Sequence, residues 1–136
     1  MATQIEPEIA RRRFSVEDFL RMDATGIFDE DDRVELIEGE IVEMHPIGWR
    51  HARCVALLTS LLSRGLRDDL LLGVQGPIQM GPRGLPQPDF AVVHRDAYDG
   101  SHPQPEQTLL VIEVSETSLR YDRHVKLPLY ARYGYP

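Results

Sequence analysis

The chain has 136 residues, 42% of them apolar, which is enough for one ordinary domain with one core and too short for two. No run of about 18 apolar residues is present to cross a bilayer, and the start MATQIEPEIARRR lacks the apolar stretch of a secretory signal, so a cytoplasmic protein is expected. A formal charge of −7 argues against coating nucleic acid by bulk attraction, and the lone Cys54 excludes an internal disulfide or a multi-cysteine zinc site.

Residues 1–13 show no pattern and are expected to form a flexible N-terminus. In FSVEDFLRM, Ser15 is placed to cap a short helix with Asp18 three positions on, and Phe14 and Phe19 are placed as a hydrophobic staple. RVELIEGEIVEM reads as two strands turning at Glu38-Gly39. From about Gly48 to Asp69, Val55, Leu58, Leu62 and Leu66, with Leu61 beside them, recur in steps of three and four and predict the main core helix. LLLGVQGPIQM reads as a kinked or bulged strand ending at the MGPRGLP turn, followed by the short strand PDFAVV. A polar, proline-bearing loop then leads to the strand TLLVIEVS, and the pair can lie as antiparallel neighbours. SLRYDRHVKLPLYARYG is the last helix, and Pro128 should kink or loosen it by removing a hydrogen bond and crowding the carbonyl of His124.

Glu113 stands out, because it lies between Ile112 and Val114, where a casual surface glutamate is hard to accept. Alternation puts Leu109, Val111, Glu113 and Ser115 on one face of their strand, and Leu110, Ile112 and Val114 on the other, more apolar face. The same rule sends Asp89, Ala91 and Val93 to one side of PDFAVV, so in a suitable register Asp89 and Glu113 converge. Two carboxylates that close repel each other, and a hard cation such as Mg²⁺ or Mn²⁺ keeps both ionised. Such an ion suits phosphodiester hydrolysis, which also calls for a protein cation near the nucleophile. Lys126 is that cation; Asp122, Lys126 and Tyr130 recur every four residues and form one stripe on the last helix. The plainer alternative for Lys126 is a surface lysine paired with Asp122. Arg120, Arg123, Lys126 and Arg132 also crowd into this segment, and would line a local basic groove or a solvated helix face.

Pro88-Asp89 followed by IEVS at 112–115 resembles the signature of the PD-(D/E)XK nuclease superfamily. Joined to VELIEGEIVEM, to His51 at the start of the long helix and to EVSETSLRYDRHVKLPLYARYG, the pattern resembles the Uma two family of restriction-endonuclease-like proteins over nearly the whole chain. The resemblance implies an α/β (α+β) fold, a mixed β-sheet flanked by helices, acting as a metal-dependent DNA endonuclease. It implies Asp89 and Glu113 as metal ligands and a lysine that positions or activates the attacking water. Glu35 matches an acid of the pattern that binds metal directly or through water; its alternative is an outward hairpin residue, with Val34 and Leu36 turned inward. His51 matches a recurrent position suited to contacting phosphate or shuttling protons, against the plainer reading of a surface histidine. Tyr130 ranks with it, and Asp122 is expected to orient Lys126.

Two departures matter. The lysine of the superfamily's E-x-K would fall at Ser115, so its role passes to Lys126, which is similar in placement to the migrated lysine of this family. Members of the family usually continue past the segment resembling YARYGYP with further strands, so a shortened C-terminus is expected, with an exposed sheet edge that a homodimer would cover. Both departures leave open a rival class, a catalytically inactive nuclease-fold module that binds protein or nucleic acid.

Overall fold

The structure, a computed structural model, describes residues 9–136; residues 1–8 of the expected flexible N-terminus lie outside the described residues. Helix α1 (Val16–Ala24) begins as its sequence dictates. The Ser15 hydroxyl accepts from the backbone N–H of Asp18 at 3.1 Å, and the Asp18 carboxylate accepts from the N–H of Ser15 at 3.2 Å. A cap of this kind stabilises a helix by about 1 kcal/mol. Phe14 and Phe19 both join a small core with Val16, Leu36 and Leu85.

Strands β1 (Val34–Ile37) and β2 (Glu40–Glu43) pair antiparallel, with Ile37 opposite Glu40. Both turn residues have positive φ, 49° at Glu38 and 82° at Gly39, as a two-residue turn that follows the strand twist requires. Gly39 has a second constraint, because a Cβ there would lie 2.6 Å from the Arg13 Cβ. Beside this hairpin Arg11 and Arg13 reach Glu40, at 3.1 and 3.7 Å.

Helix α2 (Trp49–Gly65) is where predicted, but it is not the main core helix. Only Val55 is buried, and Leu57 and Leu61 are 55% and 65% exposed. The apolar periodicity specifies a face; it does not specify that something covers the whole of it. The larger core instead joins Ala91 and Val93 from the sheet to Leu129, Tyr130 and Tyr135 near the C-terminus, with Ile37, Ile78 and Met80.

Strands β3 (Leu70–Val74), β4 (Phe90–His94) and β5 (Thr108–Ile112) form an antiparallel sheet in that order. β4 is central and its first four residues are buried, which accounts for its unbroken apolar run. The predicted kink after β3 falls at Gln75, where φ is 53°. Every strand pair among the described residues is antiparallel, in two small sheets, and an isolated bridge joins Leu36 of β1 to Leu85 in the segment between β3 and β4. The class is the expected α+β, though the sheet is divided and antiparallel where the resemblance implied one mixed sheet.

The C-terminal helix is interrupted, as Pro128 predicts. It runs as α3 (Leu119–Tyr121), a π turn (Asp122–Lys126) and α4 (Leu127–Arg132), with Pro128 in the first turn of α4. The N–H of Leu127 reaches back five residues to the carbonyl of Asp122. Pro128 has no N–H to offer the carbonyl of His124, and the wider π turn relieves the crowding of its ring.

Candidate functional site

The register of β4 and β5 pairs Phe90 with Ile112, so Asp89, one residue before β4, stands opposite Glu113, one residue after β5. The backbone N–H of Asp89 donates to Glu113 Oε1 at 3.3 Å, and the N–H of Val114 donates to Asp89 Oδ2 at 2.7 Å. The expected convergence of the two acids is therefore present. The expected face is not: Ala91, Val93 and Val111, which alternate with this side of the strands, belong to the larger core, while Leu110 on the other face is 43% exposed. Glu113 thus points toward the more buried side, because the C-terminal helix covers that face.

Lys126 projects from the π turn into the space between the strands and the hairpin. Its Nζ lies 2.5 Å from Glu113 Oε2 and 3.0 Å from Glu35 Oε1, and the lysine is 3% exposed. Glu35 is held there by β1, both of whose faces are covered, so it is not the outward hairpin residue of the alternative reading. Its Oε1 also accepts from the backbone N–H of Gln87 at 3.0 Å. The hydroxyl of Tyr130 donates to Glu113 Oε2 at 2.8 Å. From the first turn of α2, His51 Nε2 lies 2.8 Å from Asp89 Oδ1. An ionised carboxylate only accepts, so that nitrogen carries the proton.

Asp122 does not orient Lys126. It accepts from the hydroxyls of Ser115 and Ser118, the latter at 2.9 Å, and so ties the chain after β5 to the helix. The four-residue stripe assumed α-helical stacking, and the π turn intervenes between Asp122 and Lys126. The surface pairing of Lys126 with Asp122 fails for the same reason. The expected basic groove is also not formed by its four residues, since Lys126 is buried and Arg132 pairs with Glu38 at 3.1 Å. The sequence reading passed over Tyr121, next to Asp122, which lines the same cavity as Glu35, His51, Asp89, Glu113 and Lys126. Its only sequence signal is its place five residues before Lys126.

Three carboxylates, Glu35, Asp89 and Glu113, line one cavity with a single lysine ammonium, which contacts Glu35 and Glu113. Removing each ion from water costs several kcal/mol, and one ammonium does not compensate all three. Two responses follow. Burial pushes the Glu113 carboxyl up to about 7; the charge of Lys126 and hydrogen bonds from Lys126 and Tyr130 oppose the rise, and the charge of Asp89 adds to it. For Lys126, burial opposes the ammonium, but the charges of Glu113 and Glu35 and the hydrogen bonds to both outweigh it and raise its pKa. The other response to excess negative charge is a cation, and carboxylate oxygens are the donors Mg²⁺ prefers.

Among the described residues no group of three or more His, Cys, Asp or Glu side chains is disposed to hold an ion. A Mg²⁺ site needs only one or two carboxylates, with water completing the shell, and Asp89 and Glu113 are the pair that would supply them. The cavity they line has a volume of about 240 Å³, room for a phosphate group with its waters and small for a whole drug-sized ligand. Among the described residues no helix is long and apolar enough to cross a membrane. No curated protein matches the chain, and no solved structure does. A family model, Uma2, described as "Putative restriction endonuclease", matches residues 16–136, and the chain belongs to that family.

Proposed function

We propose that the protein is a metal-dependent endonuclease that hydrolyses phosphodiester bonds in DNA, acting in the cytoplasm. The observation that carries this reading is the meeting of Asp89 and Glu113 in one cavity with the buried Lys126. Asp89 and Glu113 would hold Mg²⁺ or Mn²⁺, with Glu35 beside them. Such an ion, when bound, neutralises phosphoryl charge and lowers the pKa of a water. With the ion held there, Lys126 would position the attacking water and offset the charge that develops on the phosphoryl oxygens. His51 fixes the orientation of Asp89, and Tyr130 that of Glu113. The network of Ser115, Ser118 and Asp122 keeps the chain after β5 in place. A homodimer is part of the same proposal, supported by the exposed Leu57 and Leu61.

Incubation of the purified protein with plasmid and oligonucleotide DNA in Mg²⁺ or Mn²⁺ tests the reading. Cleavage is expected, with Asp89→Ala reducing it by at least about 100-fold, the scale on which one lost electrostatic stabiliser acts. If every form of DNA stays intact, the proposal fails. The second reading, a nuclease-fold module that binds without cleaving, is favoured by Ser115 at the superfamily's lysine position and by the hydrogen bonds that already occupy Asp89 and Glu113.

A further inference from the structure

Four tyrosines, Tyr121, Tyr130, Tyr133 and Tyr135, lie along the C-terminal segment, and Tyr130 and Tyr135 have partnered hydroxyls. Tyr130 donates to Glu113, and the hydroxyl of Tyr135 has the carbonyls of Gln79 and Pro103 within reach of its single proton, the latter at 3.1 Å. The Tyr121 hydroxyl is shielded from solvent and has no hydrogen-bond partner; among the described residues it is the only buried side-chain nitrogen or oxygen left in that state. Buried polar groups are almost always partnered, and an orphan is destabilising, so for folding alone a phenylalanine would serve better here. The orphan is not in a remote part of the core. Tyr121 lines the cavity formed with Glu35, Asp89, Glu113 and Lys126.

We infer that the Tyr121 hydroxyl is a substrate-contacting group of this site, donating a hydrogen bond to a non-bridging oxygen of a phosphate ester; the inference rests on the nuclease reading above. A phenol both donates and accepts. Burial, then the charges of Glu35, Asp122 and Glu113, raise its pKa to about 12, with Lys126 opposing, so it stays protonated and available as a donor at neutral pH. The acceptor it lacks must enter through the cavity, and the Tyr121 side chain must turn to meet it, because the hydroxyl is shielded from solvent in the unliganded site. A bare anion is repelled by the three carboxylates, whereas a phosphate ester accompanied by a divalent cation is not, and its non-bridging oxygens accept strong, charge-assisted hydrogen bonds. The contact would hold the phosphate against Lys126 from the side of α3.

The full chain and its Tyr121→Phe variant, which removes only the hydroxyl, are compared in two measurements. Binding of a short DNA duplex is followed by fluorescence anisotropy in Ca²⁺, an oxygen-seeking ion used here in place of Mg²⁺, and stability by thermal melting. The expected result is affinity weakened about tenfold or more in Tyr121→Phe, the scale of a hydrogen bond to a charged group, with a melting temperature equal to or above that of the wild type. Equal affinity overturns the inference, since the hydroxyl then serves no phosphate. A lowered melting temperature overturns it too, since the hydroxyl then has a structural partner, and so does a wild type that binds no duplex. Cleavage in Mn²⁺ is scored separately. A wild type that binds through Tyr121 without cutting contradicts the nuclease reading alone; a Tyr121→Phe variant that cuts as well as the wild type, at equal affinity, contradicts the role of Tyr121 alone.

Discussion

Glu113 is buried against Lys126 and Tyr130 with its carboxyl pushed up to about 7, so near neutral pH it is divided between its charged and neutral forms. An unperturbed glutamate titrates near 4.5, so the folded protein holds this proton more tightly than the unfolded chain does. The resulting stability is fully present below about 4.5 and is lost as pH rises through about 7. It amounts to something on the order of 3 kcal/mol across that window. In chelator, the melting temperature of the wild type should therefore fall more steeply with rising pH than that of Glu113→Gln, which has no carboxyl to titrate. Parallel profiles for the two proteins would show that Glu113 is not the titrating group. At this scale the convergence of Asp89 and Glu113 was legible, because strand alternation has a rigid period of two. The partners of Lys126 were not. Glu35 lies 91 residues away in the chain, and the spacing of four that pointed to Asp122 assumed a helical register the π turn breaks. The orphaned hydroxyl of Tyr121 is a property of the packed molecule, with no trace in the order of residues.

At the level of elements, the hairpin of β1 and β2 brings Glu35 to the site, and its turn is where a small change should matter most. Gly39 has φ of 82°, and an added Cβ would lie 2.6 Å from the Arg13 Cβ. Gly39→Ala should cost about 2 kcal/mol, from the left-handed backbone alone on the order of 1–2 kcal/mol with the clash added, and lower the melting temperature by several degrees in a thermal scan. An unchanged melting temperature would mean that the turn relaxes freely. This hairpin was legible from Glu38-Gly39 between two apolar strands, as was the cap of α1 from Ser15 and Asp18, because both depend on neighbours within a few residues. The role of α2 was not legible: its leucines have helical spacing, yet Leu57 and Leu61 remain exposed. Periodicity describes the element and is silent on what packs against it. Pro128 lies between these cases, since its missing N–H foretold an interruption without specifying the π turn that resulted.

For the molecule as a whole, the site is a junction. Glu35 comes from β1, His51 from α2, Asp89 and Glu113 from adjoining ends of β4 and β5, and Lys126 from the π turn, so none of these segments holds the chemistry alone. With a net charge of −7, the DNA binding that the proposed function requires would not rest on bulk attraction, and would depend on the local geometry of this site. The most direct test is a crystal structure of the protein grown with millimolar Mn²⁺, which identifies the ion by its anomalous scattering. The proposed function predicts one ion within about 2.2 Å of an oxygen of Asp89 and of Glu113, with Lys126 drawn away from Glu113. No ion between them, with Glu113 still bound to Lys126 and Tyr130 and Asp89 still bound to His51, would contradict it.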